Sequence, residues 1–256
     1  MYTRQPVSSI SAVLPAYNEE AIIERAVQHV AEVLAQITDD FEVIVTNDGS
    51  RDATGAILAR LEREDPSLHL RVVTHEHNKG YGAALASGFD AARKDLIFLT
   101  DADKQFDVGE VRDFVPAMDE STDLVIGWRR HRADPFMRLA NAWGWKQLVN
   151  ALFGYTARDV DCAFKLFRRQ VWETMTVRAR GATFSAELLI KARRLGFAIA
   201  ELPVTHYPRT AGSPTGAKPA VIARAFKELV QLRMTLERDV ASDRLARVPW
   251  TTPAFS

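Results

Sequence analysis

Apolar positions along the chain fall into short runs that alternate with stretches of helical spacing. Residues 10–14 form an apolar run ended by Pro15, and residues 19–36 then place apolar side chains three and four apart, which predicts strand, loop, helix. Residues 41–46 are rich in β-branched side chains and run into the turn Asn47-Asp48-Gly49-Ser50, after which residues 54–61 resume helical spacing. Residues 70–74 and a helix over 83–92 make a third unit, and residues 96–99 followed by Asp101-Ala102-Asp103 open a fourth. Such alternation predicts an α/β fold, Rossmann-like, with a mostly parallel sheet flanked by helices on both faces.

A fifth strand is predicted at 124–127, and the regular alternation then weakens. Residues 135–153 have helical spacing and many large apolar side chains, among them Phe136, Trp143, Trp145, Val149 and Phe153. A strand at 163–167, a helix at 186–195 and a strand at 198–204 follow. A Pro/Gly-rich loop over 206–219 leads into an amphipathic helix over 220–236. With no internal repeat and no long linker, residues 1–256 read as one domain with an irregular C-terminal third.

Composition narrows the function classes. Apolar residues are 47% and charged residues 26% of 256, so global disorder and fibrous repeats are excluded. Lys plus Arg and Asp plus Glu are each 33, and a net charge of zero argues against a dedicated nucleic-acid partner. Cys162 is the only cysteine, which forbids an intrachain disulfide and favours a reduced, cytoplasmic setting. The first residues carry no apolar segment of signal-peptide length, and no run approaches the ~18 apolar residues of a membrane span. The expectation is a chain that stays soluble or at most lies on a membrane surface.

In open parallel sheets ligands bind beyond the carboxyl ends of strands, and the polar clusters of this chain occupy those places. Pro15-Ala16-Tyr17-Asn18-Glu19-Glu20 follows the first strand, Asn47-Asp48-Gly49-Ser50 the second and Asp101-Ala102-Asp103 the fourth. Each has a plain alternative: Asn18 and Asp52 as helix caps, Asn47-Asp48-Gly49 as an ordinary turn, the two acids as a solvated loop. An extended segment directs Asp101 and Asp103 to the same side, where two carboxylates can share Mg²⁺ or Mn²⁺ with a diphosphate as the remaining ligand. Gly80-Tyr81-Gly82 lacks the third glycine of a dinucleotide fingerprint. His75 and His77 lack a third metal ligand nearby, and Cys162 reads as a packed small side chain.

Taken in order, Leu14-Pro15-Ala16-Tyr17-Asn18-Glu19, Asn47-Asp48-Gly49-Ser50-Arg51-Asp52, Asn78-Lys79-Gly80-Tyr81-Gly82 and Thr100-Asp101-Ala102-Asp103 resemble family-2 glycosyltransferases with the GT-A fold. Gly127-Trp128-Arg129, the segment from Arg158-Asp159 to Phe167, and Pro208-Arg209-Thr210-Ala211-Gly212 resemble the narrower group that makes polyprenyl-phosphate sugars, of the dolichyl-phosphate mannose synthase type. The resemblance runs from about residue 8 to 235. It implies a nucleotide-sugar and metal half over 8–130, an acceptor half with interfacial helices over 131–240, and a tail over 241–256.

By that resemblance Pro15, Ala16, Tyr17, Glu19, Asp48, Lys79 and Ala102 would bind the donor nucleotide, and Asp101, Asp103 and Gln105 the divalent metal. Asp101, Asp103, Arg129, Asp159 and Arg209 would serve catalysis, and Arg129, Lys165, Arg209 and Lys218 would meet the acceptor, guanidinium forks suiting phosphate oxygens. The implied activity is inverting transfer from a GDP- or UDP-sugar to a polyprenyl phosphate at the cytoplasmic membrane face. Trp143, Trp145, Arg138 and Lys146 are what an interfacial helix would display, so a membrane surface, a transmembrane partner protein or a second copy of the chain is the expected partner. Two departures stand out: Phe106 where mannose synthases often carry His, and Ala163 for a frequent Gly. The alternatives are a saccharide or protein hydroxyl acceptor with Asp159 or Asp161 as base, and an inactive GT-A-like scaffold.

Overall fold

The first half of the chain forms β1 (Ile10–Ala16), α1 (Ile23–Ala35), β2 (Phe41–Asn47), α2 (Thr54–Glu64), β3 (Leu70–Thr74), α3 (Tyr81–Ala91) and β4 (Leu96–Leu99). The second half adds α4 (Val111–Ala117), β5 (Leu124–Arg129), α5 (Phe136–Phe153), β6 (Lys165–Arg168), α6 (Arg169–Thr174), α7 (Phe184–Leu195), β7 (Ile199–Val204) and α8 (Pro219–Ala246). The computed structural model describes residues 9–103, 105–130, 136–181, 183–208 and 219–246.

The strands make one sheet in the order β3-β2-β1-β4-β6-β5-β7. β1 pairs parallel with β2 and β4, β2 with β3, and β5 with β7, while β6 runs antiparallel between β4 and β5. The register sets Leu99 and Ile126 each opposite Lys165, and Arg129 opposite Val204. The start of β6 therefore lies at the same rim as the ends of β1, β2, β4, β5 and β7.

Side-chain alternation divides the sheet between two cores. Val13, Ile44, Ile97, Leu99, Leu124, Ile126 and Phe167 point to the face covered by α3, α7, α8 and the Val149–Phe153 end of α5. Their sequence neighbours Ala12, Leu14, Val43, Val45, Phe98, Val125 and Leu166 point to the face covered by α1, α2 and α4. Burial on both faces is why these strands read as continuous apolar runs. Phe164 pins the irregular part to the second core, its ring 4.9 Å from both Phe98 and Phe114 and 5.8 Å from Phe106. Phe106, the departure noted above, is thus a packing residue that also meets His206 edge-on at 5.5 Å.

Some boundaries differ from the periodicity. α1 begins at Ile23, because Asn18 takes a left-handed conformation (φ 56°) and the backbone N–H of Glu19 goes to Thr54 Oγ1 at 2.8 Å. α8 continues to Ala246, its later turns buried through Leu236 and Val240. α4 and α6 were not anticipated: 7 and 6 residues are too few for a helical period to register.

Candidate active site at the carboxyl rim of the sheet

Two loops at this rim are stitched together by their own polar side chains. Asn18 Oδ1 accepts from Arg51 N–H at 2.8 Å, while Asn18 N–H donates to Ser50 Oγ at 3.0 Å. Ala53 N–H donates to Glu20 Oε2 at 2.8 Å, and Glu20 N–H to Asp52 Oδ2 at 3.2 Å. Asn18 is therefore a cross-link rather than a helix cap; the residues preceding α1 and α2, Ile22 and Ala53, make no side-chain cap bond. The stitching leaves Tyr17 at the edge, 38% exposed, beside Pro15 and Ala16. Gly49 permits the next contact, since a Cβ there would lie 2.5 Å from the carbonyl carbon of His77, and its φ of 69° suits glycine.

Asp48 is buried, and its carboxylate is engaged on both oxygens. Oδ1 meets His75 Nδ1 at 2.7 Å and accepts from Lys79 N–H at 2.9 Å; Oδ2 accepts from Gly80 N–H at 2.9 Å. The other imidazole nitrogen meets Ser87 Oγ at 2.9 Å. Asp48 thus shapes the Asn78-Lys79-Gly80 loop, with Lys79 exposed at the rim. His75, set aside as a metal candidate, is the buried partner that holds it, whereas His77 is exposed.

Asp101 and Asp103 stand just beyond β4, Asp101 half-buried and Asp103 buried. Asp101 Oδ1 accepts from the Tyr81 hydroxyl at 3.1 Å, and Asp103 Oδ1 from Gln105 N–H at 3.0 Å. Burial and the adjacent Asp101 carboxylate push Tyr81 well above its ordinary value, so it remains a donor. Gln105 Nε2 donates to the Tyr207 carbonyl at 3.2 Å, Tyr207 N–H returns to the Gln105 carbonyl at 2.8 Å, and Phe106 bridges His206. Residues 205–208 are thereby fastened beside the Asp-x-Asp loop. A cleft of about 290 Å³ opens beside Asp101 and Ala102, walled by Leu14, Val30, Phe106, Val108 and Tyr207.

Among the described residues, no three His, Cys, Asp or Glu side chains converge to hold a metal unaided. Two carboxylates on one loop nonetheless fit a hard cation whose other ligands are phosphate oxygens and water, the usual arrangement for Mg²⁺ in phosphate-transfer sites.

At the end of β5, Arg129 binds Asp159 in a two-pronged pair at 2.6 and 2.8 Å, and Arg158 lies over the Trp128 ring at 5.2 Å. The two pairs zip the end of β5 to the loop before β6. Lys165 is 0% exposed and turns its ammonium to the carbonyls of Cys162 and Val160. Burial depresses its affinity for a proton, and an acceptor phosphate cannot reach it; the expectation that Lys165 meets the acceptor is corrected to an internal brace. Arg209 and Lys218 lie outside the described residues, as do the side chain of Arg138 and most of the loop predicted over 206–219. Asp161 is exposed.

The sequence reading missed Tyr81 and undervalued His75. Its one available signal for Tyr81 was an aromatic residue directly after Asn-Lys-Gly at a helix start. Of the two tryptophans expected at an interface, Trp143 is 66% exposed, while Trp145 packs partly against the core and meets Phe226 edge-on at 6.3 Å.

Comparison with known proteins bears on this rim. Residues 11–176 match the family described as Glycosyl transferase family 2. The chain is 31% identical over 238 residues to dodecaprenyl-phosphate galacturonate synthase of Rhizobium johnstonii, covering 90% of this chain and 68% of that protein. It is 28% identical over 213 residues to undecaprenyl-phosphate 4-deoxy-4-formamido-L-arabinose transferase of Salmonella choleraesuis, covering 83% of this chain and 64% of the relative. The chain thus spans about two thirds of the length of these curated relatives. Glucosyl-3-phosphoglycerate synthase of Mycobacterium tuberculosis, solved with Mn²⁺, UDP and glucosyl-3-phosphoglycerate, superimposes with a TM-score of 0.63 at 23% identity, over 95% of this chain and 82% of the other. That likeness shows the shared GT-A fold.

Proposed function

The chain belongs to glycosyl transferase family 2, and from that premise we propose that it transfers a sugar, with inversion, from a nucleoside-diphosphate donor to a polyprenyl phosphate. The observation that carries the reading is the convergence on one rim of the Pro15-Ala16-Tyr17 loop, Lys79 and the Asp101/Asp103 pair, whose donor set needs phosphate oxygens to complete it. Both relatives named above act, by their names, on polyprenyl phosphates, which supports the acceptor class.

In this reading Pro15, Ala16 and Tyr17 flank the nucleoside, Glu19 and Ala102 complete its pocket, and Lys79 adds positive charge. Asp48 contributes by holding the Lys79 loop. Asp101 and Asp103, with Gln105 beside them, would hold Mg²⁺ or Mn²⁺, which when bound offsets the charge growing on the departing diphosphate. An oxygen of the acceptor phosphate attacks the anomeric carbon as its bond to the diphosphate oxygen breaks, and the electron pair leaves with the nucleoside diphosphate. The acceptor is anionic at neutral pH and needs no strong base, so the chain's work is placement and charge stabilisation. Arg209 is the proposed acceptor cation; it directly follows the segment fastened to Gln105 and Phe106. Arg129 and Asp159 brace the wall. For the hydroxyl-acceptor reading, Asp159 is committed to Arg129 and makes a poor base, which leaves that role to the exposed Asp161.

We place the protein peripherally at a membrane, by our reading on the cytoplasmic face, where a polyprenyl phosphate would be met. Among the described residues no helix is long and apolar enough to cross a bilayer. Phe226, Val230 and Met234, at 49, 56 and 80% exposure, make an outward stripe on α8, where Phe226 meets Trp145. Lys227 and Arg233 flank it, and α5 carries Arg138 and Lys146 with no acid, as suits an anionic lipid surface.

The test is transfer of labelled sugar from UDP- and GDP-sugars to polyprenyl phosphate. Wild type is expected to label the lipid, and Asp103→Asn to fold normally without transfer. Normal turnover by Asp103→Asn would remove this account of the site.

A further inference from the structure

We propose that Tyr81 is a positioning residue for the Asp-x-Asp pair: its hydroxyl, delivered from the first residue of α3, sets the orientation in which Asp101 meets a divalent cation and the donor diphosphate. The inference rests on the donor reading above and adds a residue to it.

Three observations support it. The Tyr81 hydroxyl donates to Asp101 Oδ1 at 3.1 Å, joining the third βα unit to the loop after β4. The start of α3 is clamped from one side by Asp48, which captures the N–H groups of Lys79 and Gly80, each at 2.9 Å. His75 ties that carboxylate back to Ser87 on the same helix. From the other side α7 and the segment before it press on Gly82, where a Cβ would lie 2.8 Å from Phe184 Cβ and 2.9 Å from the Arg180 carbonyl carbon. Only glycine allows this approach, and Tyr81 sits between the two clamps.

A phenol held in this way has little freedom, and its hydrogen bond restrains Asp101 at Oδ1. Hydrogen-bond partners of metal-binding carboxylates restrict rotamers that would otherwise be ordered at the expense of metal affinity. The ring is more than a third exposed, so the hydroxyl can be removed without opening the core.

The experiment compares wild type, Tyr81→Phe, Asp101→Asn and the double variant by electron paramagnetic resonance titration of Mn²⁺ with saturating UDP or GDP, without turnover. Thermal unfolding is followed in parallel. Tyr81→Phe is expected to bind Mn²⁺ about ten-fold more weakly at an unchanged unfolding midpoint, the scale typical of lost outer partners of metal ligands. In the Asp101→Asn background the same change is expected to add nothing. Equal Mn²⁺ affinity in Tyr81→Phe and wild type overturns the inference, as does an equal loss in the Asp101→Asn background, which would mean the hydroxyl acts on the ligand directly. A Tyr81→Phe protein with a lowered unfolding midpoint likewise counts against it, because the hydroxyl would then be structural. Absence of nucleotide-dependent Mn²⁺ binding in wild type overturns the donor reading itself and is distinguishable from these results.

Discussion

The guanidinium of Arg129 grips the carboxylate of Asp159 through two hydrogen bonds of 2.6 and 2.8 Å, and the backbone N–H of Arg129 adds a third at 3.3 Å. Both side chains are almost wholly withdrawn from water. Burial works against the charge on Arg129, and the Asp159 carboxylate more than reverses it, holding the guanidinium charged beyond its ordinary range. Two residues that look in the sequence like a phosphate clamp and a base are, in the fold, each other's partner.

Breaking that pair leaves an uncompensated buried charge. Arg129→Ala and Asp159→Ala are each expected to lower stability by about 3 kcal/mol. The double variant should lose less than the sum by about 1 kcal/mol or more. Denaturant midpoints of the four proteins measure the coupling; strict additivity would show that the pair is not a unit.

Cys162 is fully buried, and burial together with the neighbouring Asp159 pushes its thiol up to about 12. At pH 8 it is protonated and shielded, so iodoacetamide should label it only after unfolding in guanidinium. Rapid labelling of the native protein would contradict this packing.

Asp239 fastens α8 to α7, accepting from Lys191 at 3.2 Å and from Arg178 at 3.1 Å. Burial raises its carboxyl, but Arg178 and Lys191 outweigh burial and hold it below the ordinary 3.8. A depressed folded value means the stabilisation is complete above pH 3.8 and is lost as pH falls through the folded value. Asp239→Asn is therefore expected to cost about 2 kcal/mol at pH 7, with the gap to wild type closing toward pH 2. A gap constant over that range would contradict the ionic attachment.

The α8 stripe predicts lipid binding separable from folding. Phe226→Ser, Val230→Ser and Met234→Ser combined should weaken sedimentation with anionic vesicles by about ten-fold or more, since each loses apolar area at the interface. The unfolding midpoint should hardly move, because these side chains lie outside the core. Unchanged sedimentation would assign the stripe to another partner.

The first three βα units and the fourth strand were legible because burial on both faces leaves mostly apolar runs such as Ile10–Ala16 and Phe41–Asn47, and because ligands gather where such strands end. The site's members were legible as residue types; their partners were not. Nothing local shows that Asp48 would turn to His75, 27 residues away, or that Lys165 would be buried, because its strand lies between β4 and β5. The order of β5, β6 and β7 was hidden for the same reason: strand direction is set by pairing across the chain, not by periodicity. Tyr81 escaped because a single aromatic at a helix start is as compatible with core packing as with a hydrogen bond to Asp101.

The central claim is that this rim holds a nucleoside diphosphate through a divalent cation on Asp101 and Asp103. Calorimetric titration of the protein with UDP- and GDP-sugars, in Mn²⁺ and then in chelator, tests it most directly. The account predicts that one nucleotide class binds in Mn²⁺ and is released by chelator; failure of every sugar nucleotide to bind in Mn²⁺ would contradict it and favour a scaffold.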